Sequence, residues 1–221
     1  IGLIGYTNAG KSTIINRLTD AATLEEDKLF ATLDPLTRKL TLPNQFQATI
    51  TDTVGFIQDL PTQLIHAFHS TLEESRNMDV FLHVVDASTS FIDQHEKTVL
   101  ALLKDLDMDK TPMLTIYNKR DLASPDFQPR LFPNIVISAL EDDDINRLKD
   151  FIWDEIAKML VPYTKDIDAS GPEARTMNKM QQETFVESIE YIEETNAYRL
   201  RGYAKTNSKW LGDKVTDASD E

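Results

Sequence analysis

The chain is 221 residues long and carries 37 acidic against 23 basic side chains, a formal net charge of −14. That length suits one mid-sized α/β domain with a small appendage, and the charge argues against binding bare nucleic acid through bulk attraction, leaving docking on a nucleoprotein through a local patch. Cysteine is absent, which excludes disulfides and thiol chemistry and fits a reducing cytosol, and no apolar run approaches the length of a membrane span.

The chain begins inside an apolar run, Ile1-Gly2-Leu3-Ile4, without Met, so the expectation is a fragment whose upstream part is absent. The run leads into Gly5-Tyr6-Thr7-Asn8-Ala9-Gly10-Lys11-Ser12, the G-x-x-x-x-G-K-[ST] phosphate-binding pattern. A buried strand precedes it, and Thr13-Ile14-Ile15-Asn16-Arg17-Leu18 continues as a helix. The glycines let the backbone curl until N–H groups point inward. Those of Asn8, Ala9, Gly10, Lys11, Ser12 and Thr13 form an anion cradle with the helix N-terminus. Lys11 supplies a point charge to the outer phosphates, and the Ser12 hydroxyl is placed to hold Mg²⁺.

Thr19 to Lys39 has no clean period and reads as a long functional loop. In a protein of this pattern a threonine here reaches the Mg²⁺ and the γ-phosphate, and there are two candidates, Thr32 and Thr37. Arg38–Leu42 and Gln47–Thr51 read as strands, antiparallel because their connection is short. The second runs into Asp52-Thr53-Val54-Gly55. Asp52, at a strand end, is placed to hold Mg²⁺ through a water, and Gly55 can bring its N–H up to a γ-phosphate.

Pro61 to Met78 reads as a helix, with Leu64, Ile65, Phe68 and Leu72 on one side. His66 and His69 lie three apart on it but have no third ligand at useful spacing, so they read as surface or packing residues. Glu73-Glu74 reads as a solvated face. Val80–Asp86 is a continuous apolar strand suited to a parallel sheet covered on both sides. Gln94–Leu106 is the next helix, Pro112–Tyr117 a strand, Asn134–Ile137 the last strand, and Ile145–Leu160 the closing helix. The whole predicts an α/β fold: a doubly wound, mostly parallel sheet with one antiparallel edge strand, over residues 1–160. Residues 161–212 have a different texture. Asp168-Ala169-Ser170-Gly171-Pro172 looks like a linker, Arg175–Glu183 a helix, and Phe185–Glu193 with Tyr198–Ala204 two strands, which makes a small α+β domain. Residues 213–221 form a polar acidic tail.

The base is indicated by Asn118-Lys119-Arg120-Asp121. Guanine presents N1–H and N2–H₂ donors on one edge, and the Asp121 carboxylate can accept both; adenine has no such pair. Asn118 can bond the other side of the base or tie this loop to the phosphate loop. The Lys119 stem can lie over the purine face. In Ser138-Ala139-Leu140, the Ala139 N–H can donate to guanine O6. These motifs, in order and at strand ends, predict a guanine-nucleotide site.

Together with Phe30-Ala31-Thr32-Leu33-Asp34-Pro35, Asp52-Thr53-Val54-Gly55-Phe56-Ile57, Leu60-Pro61, Ser70-Thr71-Leu72-Glu73-Glu74 and His83-Val84-Val85-Asp86-Ala87-Ser88, the phosphate loop resembles the translation-factor-like GTPases and, within them, the HflX family. Leu160-Val161-Pro162-Tyr163 and the hairpin after it resemble that family's small C-terminal domain more loosely. Arg120 departs from the family, which usually has an aliphatic residue there. The resemblance implies a cytoplasmic GTPase that binds the large ribosomal subunit, mainly through an N-terminal domain absent here, and splits or rescues ribosomes. It implies slow hydrolysis of GTP until the ribosome stimulates it.

The expected chemistry is phosphoryl transfer to water, with Lys11, Thr32 and Gly55 in catalytic roles and Ser12, Thr32 and Asp52 around Mg²⁺. Phe56 stands where many small GTPases have a water-orienting glutamine, so intrinsic turnover is expected to be low. The ribosome can complete the site, or K⁺ can, since Asn8 occupies the position that holds K⁺ in some related GTPases. Two other readings remain open: a GTP-switched binding module with incidental turnover, and a GTPase of ribosome assembly or tRNA modification.

Overall fold

A computed structural model describes residues 1–19, 36–52, 78–169 and 174–211. The expected helix at 61–78 with His66 and His69, and the candidates Thr32, Gly55 and Phe56, lie outside these residues. The chain divides into two compact units, one of Ile1–Leu42 and Gln47–Ile152, the other of Pro43–Phe46 and Trp153–Glu221.

The first unit contains β1 (Gly2–Gly5), α1 (Lys11–Leu18), β2 (Leu36–Thr41), β3 (Gln47–Asp52), β4 (Phe81–Asp86), α2 (Ile92–Asp105), β5 (Met113–Asn118) and β6 (Asn134–Val136), and α3 (Asp142–Lys158) begins in it. The six strands form one sheet in the order β2-β3-β1-β4-β5-β6. Only the β2–β3 pairing is antiparallel, so this is the α/β sheet with an antiparallel edge that the sequence predicts. The chain leaves β1 toward β3 on one side and β4 on the other. Loops following strands at such a reversal open a crevice at their C-terminal ends.

Burial explains the central strands. Phe81, Leu82, His83, Val84 and Val85 are all buried, as befits a strand covered on both faces. On α1 the buried side chains are Lys11, Ile14, Ile15 and Leu18. On α2 they are Glu96, Val99 and Leu103, and Val99 and Leu103 pack with Phe81, Leu106 and Met108. The last helix starts three residues before its first apolar position, because Asp142, Asp143 and Asp144 occupy its first turn. Carboxylates are favoured there by the helix dipole.

The second unit contains β7 (Leu160–Asp168), α4 (Ala174–Glu183), β8 (Phe185–Ile192) and β9 (Ala197–Lys205) in an antiparallel sheet of order β7-β9-β8. Ile167, Met180 and Leu200 form its core. Phe46, Trp153, Phe185 and Tyr203 make an aromatic group, with the Trp153 and Tyr203 centroids 5.7 Å apart and their planes at 90°. The sequence reading lacks β7 as a strand and marks Asp168 as the start of a linker. In the structure β7 pairs with β9 from Leu160↔Lys205 to Asp168↔Ala197. Pro162 and the polar residues Thr164, Lys165 and Asp166 disguise it in sequence. Its place at the sheet edge tolerates proline's missing donor. On the other side of β9, an alanine Cβ at Gly202 would lie 1.9 Å from the Phe185 carbonyl oxygen, so the β8 backbone closes against a residue without a side chain.

His83 is the one histidine buried among the described residues, 1 % exposed, and its Nδ1 has no partner among them. Burial, assisted by the Lys11 charge, pushes its pKa from 6.5 down to about 4. The imidazole is neutral in the folded chain and gains a proton on unfolding at mildly acid pH. Its contribution is therefore complete above about 6.5 and is lost as pH falls toward 4, worth roughly 3 kcal/mol over that window. Urea denaturation from pH 7 to pH 4.5 should show a smaller fall in stability for His83→Gln than for the native chain.

Candidate functional site

The phosphate loop owes its shape to two glycines. Gly5 has φ +150° and Gly10 φ +99°, conformations that side chains disfavour. A Cβ on Gly5 would sit 2.2 Å from the Val84 carbonyl oxygen, and one on Gly10 would sit 2.2 Å from the Asn118 Nδ2. Asn8 also has positive φ, at 60°, and its side chain is exposed. The Lys11 Nζ donates to the carbonyls of Gly5 at 2.9 Å and Tyr6 at 2.8 Å, which aims the ammonium into the loop. Burial lowers its pKa, opposed by the nearby Asp52 charge. The Tyr6 ring stacks on His95 of α2, with centroids 3.8 Å apart and planes at 8°.

Asp52 ends β3 facing this lysine. Burial raises its pKa, and Lys11 and Arg38 oppose the rise. Its Oδ1 is buried with no partner among the described residues. The Ser12 and Thr13 side chains are exposed. An uncommitted carboxylate oxygen and a free hydroxyl at the mouth of an anion cradle are hard oxygen donors, and they fit a magnesium ion that keeps part of its water shell. Among the described residues no group of three or more His, Cys, Asp and Glu could hold a metal, so such an ion would take its remaining ligands from phosphate oxygens and water. Thr37 is engaged elsewhere: its Oγ1 lies 2.9 Å from Thr51 Oγ1 across the β2–β3 pairing. Thr32 and Gly55 fall outside the described residues.

The base loops meet the phosphate loop through Asn118, which is 3 % exposed at the end of β5. Its Nδ2 donates to the Ala9 carbonyl at 2.9 Å, and its Oδ1 accepts the Ala139 N–H at 2.9 Å. The second bond engages the amide that the sequence reading assigns to guanine O6. Lys119 takes a left-handed conformation, φ 64°, and its Nζ lies 2.6 Å from Asp86 Oδ2. Asp86 is anchored in turn by the Ser88 N–H at 2.9 Å and the Ser88 Oγ at 2.5 Å. Burial acts to raise the Asp86 pKa, but its bonds to Lys119 and Ser88 outweigh that and hold it below the usual carboxylate range. The ion pair fixes the Lys119 stem at the rim of the site. Asp121 is exposed and makes no hydrogen bond to the described residues, so its carboxylate is available to a ligand.

Ser138 is buried, and its N–H donates to Asp144 Oδ2 at 2.7 Å. The Leu140 side chain is 71 % exposed, and its carbonyl accepts from Arg17 Nη1 at 3.2 Å. Lys11, Asp52, Asn118 and Ala139 are thus brought together, with Asp121 on the neighbouring turn. Sequence reasoning missed the structural parts played by Asp86 and Asp144. Asp86 has a visible signal, an acidic residue ending a strand as Asp52 does. Asp144 hides in a run of three aspartates.

Residues 1–119 match the family model described as 50S ribosome-binding GTPase. The chain is 46 % identical over 209 residues to GTPase HflX of Alkalihalophilus pseudofirmus, covering 94 % of this chain and 49 % of that protein. It is 42 % identical over 131 residues to GTPase HflX of Escherichia coli, covering 59 % of this chain and 30 % of that protein. The chain therefore spans about half the length of these relatives or less. Among solved structures it is similar to a GTP-binding protein of Sulfolobus solfataricus in complex with GDP, at 26 % identity and TM-score 0.54, covering 69 % of this chain and 50 % of that one. The chain belongs to the 50S ribosome-binding GTPase family, and within it to the HflX GTPases.

Proposed function

We propose that this chain binds guanine nucleotide and hydrolyses GTP to GDP and phosphate, and that in its cytoplasmic setting it acts on the large ribosomal subunit, whose splitting or rescue its turnover serves. What supports the nucleotide site is the Asn118 carboxamide, which holds the phosphate loop at Ala9 and the Ser138-Ala139-Leu140 loop at Ala139 with one side chain. What supports the ribosome as partner is the family match over residues 1–119. The nucleotide chemistry needs only residues 1–160. In the same reading residues 161–212 are assigned to a small α+β domain.

In this scheme the N–H groups of Asn8 to Thr13 bind the phosphates, and Lys11 neutralises the charge on the oxygens leaving with GDP. Ser12, Thr32 and Asp52 would hold Mg²⁺, which would supply further positive charge to the phosphates. Gly55 presents its N–H to the γ-phosphate. Asp121 accepts the guanine N1–H and N2–H₂, and the Lys119 stem, tethered by Asp86, covers the purine face. The Ala139 N–H reaches O6 while shared with Asn118 Oδ1, and Leu140 closes the rim. No glutamine follows Gly55, so the attacking water is positioned by the ribosome or helped by K⁺ at Asn8.

Asp121→Asn should weaken GTP binding by at least tenfold and favour xanthosine triphosphate, because the carboxamide donates where the carboxylate accepted. Competition binding with the two nucleotides reads this directly, and retained guanine preference counts against the assigned base site. Turnover should be slow alone and rise on adding purified large ribosomal subunits to a chain extended at its N-terminus to the length of its HflX relatives. Stimulation of the present chain as well would put a ribosome contact within its 221 residues. Nucleotide binding without stimulation of either would favour a GTP-switched binding module. Replacing Na⁺ by K⁺ should raise the basal rate if Asn8 holds the ion; equal rates remove K⁺ from the scheme.

A further inference from the structure

Arg120 fills the variable position of the base motif, and its side chain does not point idly to solvent. Its Nη2 lies 2.7 Å from Glu141 Oε2 and 3.0 Å from Asp144 Oδ2. The two acceptors differ in kind. The Glu141 side chain is 53 % exposed, whereas that of Asp144 is 3 % exposed. An ion pair with an exposed partner is worth little, while one ending on a buried carboxylate is screened far less.

Asp144 is also the residue that shapes the opposite loop. The same Oδ2 accepts the Ser138 N–H at 2.7 Å, and Oδ1 takes Arg147 Nη1 at 2.7 Å. The main chain of Arg120 makes a second crossing: its N–H donates to the Ile137 carbonyl at 2.9 Å. One residue therefore joins the Asn118–Asp121 turn to both ends of the short segment that carries Ser138 and Ala139. One nitrogen, Nη2, which carries two hydrogens, faces both carboxylates at once.

We propose that Arg120 is a positioning residue that clamps the two base-binding loops together through Asp144 and so governs how fast guanine nucleotide is released. The inference rests on the base lying between Asp121 and the Ser138-Ala139-Leu140 loop. Nucleotide leaves when these loops part, and parting them breaks the Arg120 contacts. The clamp holds the base from behind and touches neither phosphate nor the reacting water.

The test is release of a fluorescent GDP analogue chased by excess GDP, at low and high NaCl. Native release should change little with salt, because the clamp ends on the buried Asp144 carboxylate. Arg120→Leu should release about fivefold faster than native at both salt concentrations. Arg120→Lys, which keeps the charge on a shorter side chain, should fall between the two. Asp144 keeps Ser138 and Arg147 as partners in these variants, so no buried charge is stranded. Arg199→Leu, which removes an exposed pair with Asp166 in the other unit, should leave release unchanged.

A purely structural arginine would lower the thermal midpoint without changing release. That result, or Arg120→Leu release within twofold of native, overturns the clamp. Equal acceleration by Arg199→Leu overturns it too. If Asp121→Asn fails to exchange guanine for xanthine preference, the base site and the clamp fall together. If it does exchange them while Arg120→Leu leaves release unaltered, only the clamp falls.

Discussion

The Asn118 carboxamide is held in a place where water cannot substitute for either of its partners. It is buried, it donates to the Ala9 carbonyl, and it accepts the Ala139 N–H. A buried amide left without these bonds would cost about 1–3 kcal/mol, so the phosphate loop and the base loop are held at one separation. Gly10 is part of the same constraint, since any side chain there would collide with the Asn118 Nδ2. The geometry of the whole nucleotide crevice depends on this one contact, and residues that would touch opposite ends of a nucleotide are positioned by it.

Around that contact the site is built from buried charge. Lys11 is satisfied by two carbonyls, yet Asp52 keeps a buried oxygen without a partner among the described residues. His83, behind them, is kept neutral by burial and by the lysine. Unpaired buried polar atoms are costly, and the Asp52 oxygen beside Lys11 is one that a bound cation or its water could satisfy. The base end is arranged differently. There the charges are paired in advance, Lys119 with Asp86 and Arg120 with Asp144, and the Asp121 carboxylate makes no bond to the described residues.

The second unit is held by a different logic. Its core joins Ile167 and Leu200 of the sheet to Met180 of α4 and collects Phe46, Trp153, Phe185 and Tyr203 into edge-to-face and stacked contacts. So small a core needs aromatic area to be stable. The polar ladder of Arg199 against Asp166 adds register rather than much energy, because both partners are half-exposed.

The sequence by itself determined the phosphate loop, the base motif, the strands that deliver them and the alternation that makes a parallel sheet, because each is written in consecutive residues: a glycine spacing, an apolar run, a 3.6-residue period. Only the tertiary structure decided which partner each polar group takes. Asn118 reaches a carbonyl 109 positions away and Lys119 a carboxylate 33 positions away, and no local pattern encodes such distances. The same holds for β7, whose polar residues and proline look like a linker until β9 supplies its hydrogen bonds, and for Gly202, whose missing side chain matters only because the β8 backbone closes on it. Periodicity reports which face of an element is buried; the chain's long-range closures decide what that face, and each charge beside it, will meet.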